Sequence, residues 1–456
     1  MSLRILTVFF LCLFTIPVFS EGENTEKIEN NDIDLSKKTR LSDRELSKKK
    51  EGGYVTGIAG PGSSPDTGFG ATAILLYYYN GKKDDPLFPY TPYLHNIGAL
   101  FTYMSRGFLQ LAFLWDAPYF LHSPYRITVE VWHTMNPVAQ YYGVGTRTMQ
   151  PLRHPDGTTY SRMTDYDNDL RNISAGTTYS HYNYYNLQDT LGKLTVQRDF
   201  LGGMFRLLGG VNIDHFNIKD YSDQTVTVTK PSGSRKKADM LTTRLKEDHL
   251  SGKIRGFNGG WNNSVLLGLS YDTRDLEPYP RTGMFHDIVF MYTAKALGSQ
   301  FDWAEATTAL RFYHSPFRAL DLVLAGRVSY TARFGEIPFY GMTGIRYTDK
   351  STTSMGGMRG YRDRRFMGPF VALANFEIRT KFAQARPGDQ LFEFALAPFF
   401  DIGRVSDTMQ EMALNNWVYS YGAGIRITWN QSTVFVLDFG FSPEDFGFYM
   451  QVRQIF

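Results

Sequence analysis

The chain has 456 residues, 48 basic against 45 acidic, with a formal net charge of +3; so near a balance leaves no electrostatic footprint for nucleic acid, and that partner is excluded. Aromatic residues reach 15%, with 29 Tyr and 35 Phe, while charged residues stay at 20%. That mixture suits strands with one apolar and one polar face.

The first twenty residues, MSLRILTVFFLCLFTIPVFS, place Arg4 before an apolar stretch that ends near Ile16, with the small Ser20 ahead of an acidic turn. This predicts a secretory signal peptide over 1–20, because the stretch is shorter than the ~20 residues a spanning helix needs. The single cysteine, Cys12, lies inside it, so the mature chain is expected to carry no disulfide and no cysteine metal site. Residues 21–52 are rich in Glu, Asp, Lys, Asn and Ser and end in LSKKKEGG. They read as a disordered or briefly helical periplasmic lead, with the role of the Lys48–Lys50 cluster left open.

From 53 to 456 the texture changes to short alternating runs separated by Gly, Pro, Asn and Asp, which we read as one domain. No window offers 18 uninterrupted apolar residues, so an exported, aromatic-rich chain crosses a bilayer only as a closed barrel. Strands are expected near 54–60, 68–79, 94–104, 107–117, 124–135, 183–199, 202–217, 263–274, 283–294, 303–314 and 319–332, with five more after 370. The total is about sixteen, an even number that puts both ends in the periplasm. Long segments (136–182, 219–262, 333–369, 404–417) then fall outside and most short links inside; the inner link 80–94 is longer than this scheme prefers.

The alternation is cleanest in the second half. In 391–403 Phe392, Phe394, Leu396, Phe400 and Ile402 share one parity, and Glu393, Ala395, Asp401 and Gly403 the other. In 371–382 Phe376, Ile378 and Phe382 oppose Asn375, Glu377, Arg379 and Lys381. Arg426 lies on the polar parity of 419–429, and Asp438 on that of 433–441. The closing residues FYMQVRQIF put Phe448, Met450, Val452 and Phe456 on one face and finish on an aromatic carboxyl terminus.

One segment breaks the pattern: SMGGMRGYRDRRF, 354–366, has five charges in thirteen residues between two membrane-type strands. Glu377 and Asp401, inward on neighbouring strands, make a receptor for a guanidinium fork. Arg359 is therefore expected to enter the lumen to meet them, with Gly360 turning the backbone tightly against the wall and Tyr361 packing its ring inside with a wet hydroxyl. IRGF at 254–257 fits the same pattern but ranks second, with Arg255 read as an exposed loop residue, because only the later copy directly precedes the two acidic strands.

MRGY at 358–361, the E-x-R of Glu377–Arg379 and the F-x-D-x-G of Phe399–Gly403 resemble the BamA/TamA superfamily of outer-membrane barrels. PDTGFG at 65–70, YDTRD at 271–275 and YGAGIRI at 421–427 extend the resemblance over nearly all of the chain after Gly53. It implies an all-β, transmembrane, sixteen-stranded antiparallel barrel with a long loop folded into the lumen, in the bacterial outer membrane. It also implies protein assembly or translocation, with outer-membrane lipids and unfolded outer-membrane or secreted clients as partners. Members that handle clients usually carry periplasmic POTRA domains, and the lead of about 32 residues, from 21 to 52, has no room for one.

Two functions of different class follow. In the first, a monomeric barrel assists insertion through a weak seam between first strand (Tyr54, Gly57, Gly60) and last (Phe448, Met450, Val452, Phe456), because glycine and proline in GGYVTGIAGP weaken ladder pairing and an open edge templates an incoming strand. In the second, the chain is a passive channel or a surface-exposed structural protein with antigenic loops. An enzyme is not expected. The nine histidines are scattered without metal-ligand spacing, no G-x-S-x-G occurs, and no cofactor or metal is expected.

Overall fold

The computed structural model describes residues 33, 35, 40–64, 67–230, 232–317, 320–342, 357–413, 415–452, 454 and 456. The expected signal peptide and Ser354 to Gly356 lie outside these residues. One antiparallel sheet holds seventeen segments, two of which continue one another along the same neighbour and form a single interrupted strand. We number its sixteen strands β1 Gly53–Ser64, β2 Gly68–Tyr79, β3 His95–Met104, β4 Leu109–Ala117, β5 Tyr125–Gln140, β6 Tyr184–Phe200, β7 Phe205–Asp220 and β8 Gly259–Trp261 with Ser264–Asp272. The series continues with β9 Gly283–Thr293, β10 Trp303–His314, β11 Leu322–Gly335, β12 Phe370–Ala385, β13 Phe392–Ser406, β14 Val418–Trp429, β15 Thr433–Phe441 and β16 Phe446–Val452. Each pairs with the next in chain order. Several strands, β1, β5 and β11 among them, run a few residues beyond the alternating windows, because loop-proximal residues continue the ladder outside the apolar band.

The two faces of this sheet invert the rule of a soluble protein. Outward residues such as Phe69 (74% exposed), Leu75, Phe290, Phe376, Phe400 and Phe439 are apolar and uncovered, as a wall in hydrocarbon requires. The inward parity buries charge: Arg311 pairs with Asp287 at 2.9 Å and Arg333 with Glu305 at 2.6 Å. Arg126 reaches Asp116 at 2.6 Å and Glu277 at 2.8 Å. Buried guanidinium groups persist because each meets an acceptor.

Both mouths are covered. On the long-loop side Tyr141, Tyr185, Phe216, Phe339, Tyr340 and Met367 form a core among the loops. On the other side the lead does more than the sequence reading gave it. It carries the short helix α1, Asp43–Leu46, closed by a Ser42–Glu45 capping box, and from Arg40 onward it is folded against the rim. The overlong link 80–94 is its seat: Leu41 N–H donates to the Pro89 carbonyl at 2.8 Å, and Lys49 Nζ to the carbonyls of Phe88 and Thr91 at 2.5 and 2.6 Å.

Candidate functional site: lumen lock and strand seam

The arginine-rich segment lies between β11 and β12 and turns into the lumen, where Arg359 is fully buried. All three nitrogens of its fork donate to acids. Nε and Nη2 donate to the two carboxylate oxygens of Asp401 at 2.8 and 2.7 Å, and Nη1 donates to Glu377 Oε1 at 2.7 Å and Asp438 Oδ2 at 2.9 Å. The guanidinium carbon sits 3.3 Å from the centre of the Phe399 ring, adding a cation–π contact to the charge-assisted bonds. A lysine has one point charge and could not serve three acids from this position.

Around this core the charges balance three against three. Arg426 donates to Glu377 at 2.8 Å and to Asp438 at 2.5 Å, and Arg379 Nε donates to Glu377 Oε2 at 2.8 Å. Asn375 bridges Asp401 and the Gly357 carbonyl at 2.7 and 2.8 Å. Arg359, Glu377, Arg379 and Asp401 are thus brought together as expected, whereas Asp438, Arg426 and Phe399 were missed as members of the cluster. Asp438 and Arg426 carried the available signal, inward parity plus charge. Gly403 stands in the wall opposite Leu373 and Val418 and takes no part in the cluster's hydrogen bonds among the described residues.

Gly360 turns with φ +81°, and a Cβ there would lie 2.8 Å from the Phe441 backbone; a Cβ on Gly440 would lie 2.7 Å from the Gly360 nitrogen. The hairpin therefore rests backbone to backbone on β15, a contact only glycine on both sides permits. Gly360 N–H donates to the Tyr449 hydroxyl at 2.8 Å, and that hydroxyl donates to the Tyr361 carbonyl at 3.1 Å, which fastens the loop to β16. The Tyr361 ring is buried, and its hydroxyl donates to the Tyr419 carbonyl at 3.1 Å.

The remaining arginines of the segment hold the outer loops. Arg362 pairs with Asp445 at 2.6 Å, and Arg365 pairs with Glu444 at 2.7 Å and donates to the carbonyls of Thr148 and Gln150 at 2.5 and 3.0 Å. The competing Arg255 is a half-exposed loop residue paired with Glu336 at 2.9 Å. Its rank below Arg359 agrees with this geometry.

The seam is built differently. β1 pairs with β2 over twelve consecutive residues without a slip, Gly57 opposite Leu75 and Gly60 opposite Thr72. Its other edge carries no ladder to β16 among the described residues. Side chains tie β1 past the end of β16 to the next strand instead: Tyr54 OH donates to Ser432 Oγ of the β14–β15 turn at 2.8 Å, and the hydroxyl of Thr56 meets that of Thr433, the first residue of β15, at 2.7 Å. Val452 packs against Tyr54 and Tyr78, while Phe448 faces outward against Phe439 with ring centres 4.9 Å apart. Met450 is half-buried.

Phe456 departs from the face it was expected to share with Phe448. It is buried inside with Tyr313 and Ala325, its ring 5.3 and 5.5 Å from the guanidinium carbons of Arg379 and Arg327, and its carbonyl accepts from Arg379 at 3.2 Å. Gln454 likewise accepts from Arg426 at 3.1 Å. The lumen offers donors and cationic faces that lipid lacks, so the end of the chain leaves the wall.

Comparison with known proteins adds the family. The Omp85 superfamily domain matches residues 110–452, and a domain of unknown function, DUF5982, matches residues 31–94. A comparison with curated protein sequences finds no match. Among solved structures the chain is similar to BamA from Haemophilus ducreyi lacking POTRA domains 1-3, at 11% identity and TM-score 0.46, covering 89% of this chain and 70% of that one. It is also similar to CdiB from Escherichia coli, at 11% identity and TM-score 0.47 over 88% of this chain and 62% of that one. CdiB from Acinetobacter baumannii gives 12% and 0.42 over 90% and 66%, so the chain spans less than two thirds of either CdiB. Omp85 barrels sit in the bacterial outer membrane, and the sequence match over residues 110–452 carries the assignment: the chain belongs to the Omp85 superfamily.

Proposed function

We propose that this chain is an outer-membrane barrel that helps proteins insert into or cross the outer membrane through the β1/β16 seam. The observation that carries this reading is that, among the described residues, no backbone ladder lies on the outer edge of β1, and two hydroxyl contacts to the β14–β15 turn and the start of β15 hold it instead. An unpaired edge offers N–H and C=O groups to an incoming strand. Opening it breaks few bonds, each contributing about 1 kcal/mol. Its partners are outer-membrane lipids and unfolded client chains, and its role is pairing and passage rather than catalysis. The hairpin that Arg359 anchors to Asp401, Glu377 and Asp438 inside the lumen supports the seam over the lumen as the route.

The test joins Thr56→Cys to Thr433→Cys by a disulfide in vesicle-reconstituted protein and measures insertion of an unfolded client barrel. The expected result is a loss of about tenfold or more in insertion rate, recovered on reduction. Locked and reduced protein inserting the client equally fast, together with a steady conductance in planar bilayers, would overturn the reading in favour of a passive channel.

A further inference from the structure

Residues 40–52 are tied to the barrel on both sides of the seam. On the β1 side, Lys49 is bound to the carbonyls of Phe88 and Thr91 with its ammonium 4.0 Å from the Phe88 ring centre. Asn80 Nδ2 donates to the Lys50 carbonyl at 2.6 Å, and Gly52 exchanges backbone bonds with Asn80 and Gly81. On the other side, Arg44 forks onto Asp321 at 3.1 and 3.0 Å, Lys48 meets Glu393 at 2.9 Å, and Lys50 meets Asp389 at 2.6 Å. Asp321 ends the β10–β11 turn, Asp389 lies in the β12–β13 turn, and Glu393 opens β13. The lead passes directly into β1, so these pairs span the seam and the bases of β14, β15 and β16.

We propose that residues 40–52 are a clasp across the seam, and that its release is the step that lets β1 part from β16. This rests on the seam reading given above and adds its control. The two ties differ in kind: the β1-side tie is buried and uses backbone carbonyls, whereas the far tie is made of ion pairs, of which Lys48–Glu393 is largely buried but Arg44–Asp321 and Lys50–Asp389 reach solvent through the half-exposed Arg44 and the exposed Asp389. The far tie is therefore the one that lets go, because exposed pairs are weak and screened by salt. Arg281 and Lys381 also contact Asp321, at 2.6 and 2.9 Å, and Lys381 contacts Glu393 at 3.1 Å. Asp321 and Glu393 keep cationic partners when the lead leaves, and Asp389 is exposed to solvent, so undocking leaves no buried acid without a cation. The lead also walls two cavities, with Leu41 in one and Arg44 and Lys48 in the other.

The test uses the full chain in lipid vesicles, with Cys12→Ser and a reporter Thr433→Cys, a position fully buried at the seam. A charged maleimide labels it when the seam opens, and heat-modifiable gel migration confirms the folded barrel in every variant. Combined Arg44→Glu, Lys48→Glu and Lys50→Glu is expected to raise the labelling rate roughly tenfold. Lys50→Asp alone is expected to raise it less, and pairing it with Asp389→Lys to restore the native rate. Equal labelling in all variants overturns the clasp while leaving an opening seam in place. No labelling in any folded variant overturns both clasp and seam.

Discussion

The wall from β12 to β15 and the junction of β1 with β16 are made from the same kind of strand, apolar outward and polar inward, yet they are held by different chemistry. In the first, long ladders, with one register shift between Lys381 and Ala383, carry three acids whose charges are met by Arg359, Arg379 and Arg426. In the second, no ladder is present among the described residues, and hydroxyl contacts, Val452 and the lead bridge the gap. β15 and β16 register over seven residues, and a ladder of that length at ~1 kcal/mol per bond would contribute several kcal/mol, which the seam forgoes. The contrast assigns rigidity to one arc of the barrel and opening to another. The hairpin connects them, since Tyr449 of β16 holds the backbone on either side of Gly360.

The largest effect is expected at Arg359. Arg359→Ala leaves three buried carboxylates with two arginines and should cost about 3–5 kcal/mol, read as a lower thermal transition of the barrel in detergent. Arg359→Lys should recover only part of that, and Arg255→Ala should stay within about 0.5 kcal/mol. Next comes Gly440→Ala, whose Cβ would press on the Gly360 nitrogen and push the hairpin off β15, for about 1–3 kcal/mol by the same measurement. At the seam, Thr56→Val with Thr433→Val removes one hydroxyl contact. It should cost about 1 kcal/mol and act on seam labelling rather than on the thermal transition.

The smallest effect is a pH dependence of the lead. Burial pulls the Lys49 ammonium down to about 7, so docking disfavours its charged form. That cost is full below about pH 7 and is relieved as pH rises toward the ordinary value of ~10.4. At Asp321 burial raises the carboxyl, but hydrogen bonds from Arg44, Lys381 and Arg281 outweigh it and hold the group well below the usual carboxylate range. Only the part due to Arg44 belongs to docking, since Arg281 and Lys381 stay on Asp321; it is present above ~4 and is lost as pH falls from there toward the depressed value. Both groups predict a lead that loosens in acid. A spin label at Ser47→Cys should grow more mobile from pH 9 to 7, hold level, and grow more mobile again below pH ~4; mobility falling with acidification would reverse the sign.

Alternation made the wall legible, because parity alone sorts the residues of β12 to β15 into lipid and lumen faces. Arg359, Glu377 and Asp401 were legible because a charge cannot face hydrocarbon and must be answered inside. Parity does not say at what height in the lumen an inward group sits, however. Asp438 and Arg426 were seen to point inward without being seen to converge on Glu377. The Lys48–Lys50 run looks the same solvated or paired, since Glu393 and Asp389 lie hundreds of positions away. Phe456 followed strand parity on paper and broke it in space, where Arg327 and Arg379 give its ring more than lipid does.

Hydrogen exchange resolved by residue, on the protein in a lipid bilayer, tests the contrast between the two arcs most directly. The amides of β1 that point away from β2, together with those of β16, are expected to exchange at least about a hundredfold faster than those of β13, which is laddered on both sides. Protection of β1 on both edges equal to that of β13 would contradict a seam that opens.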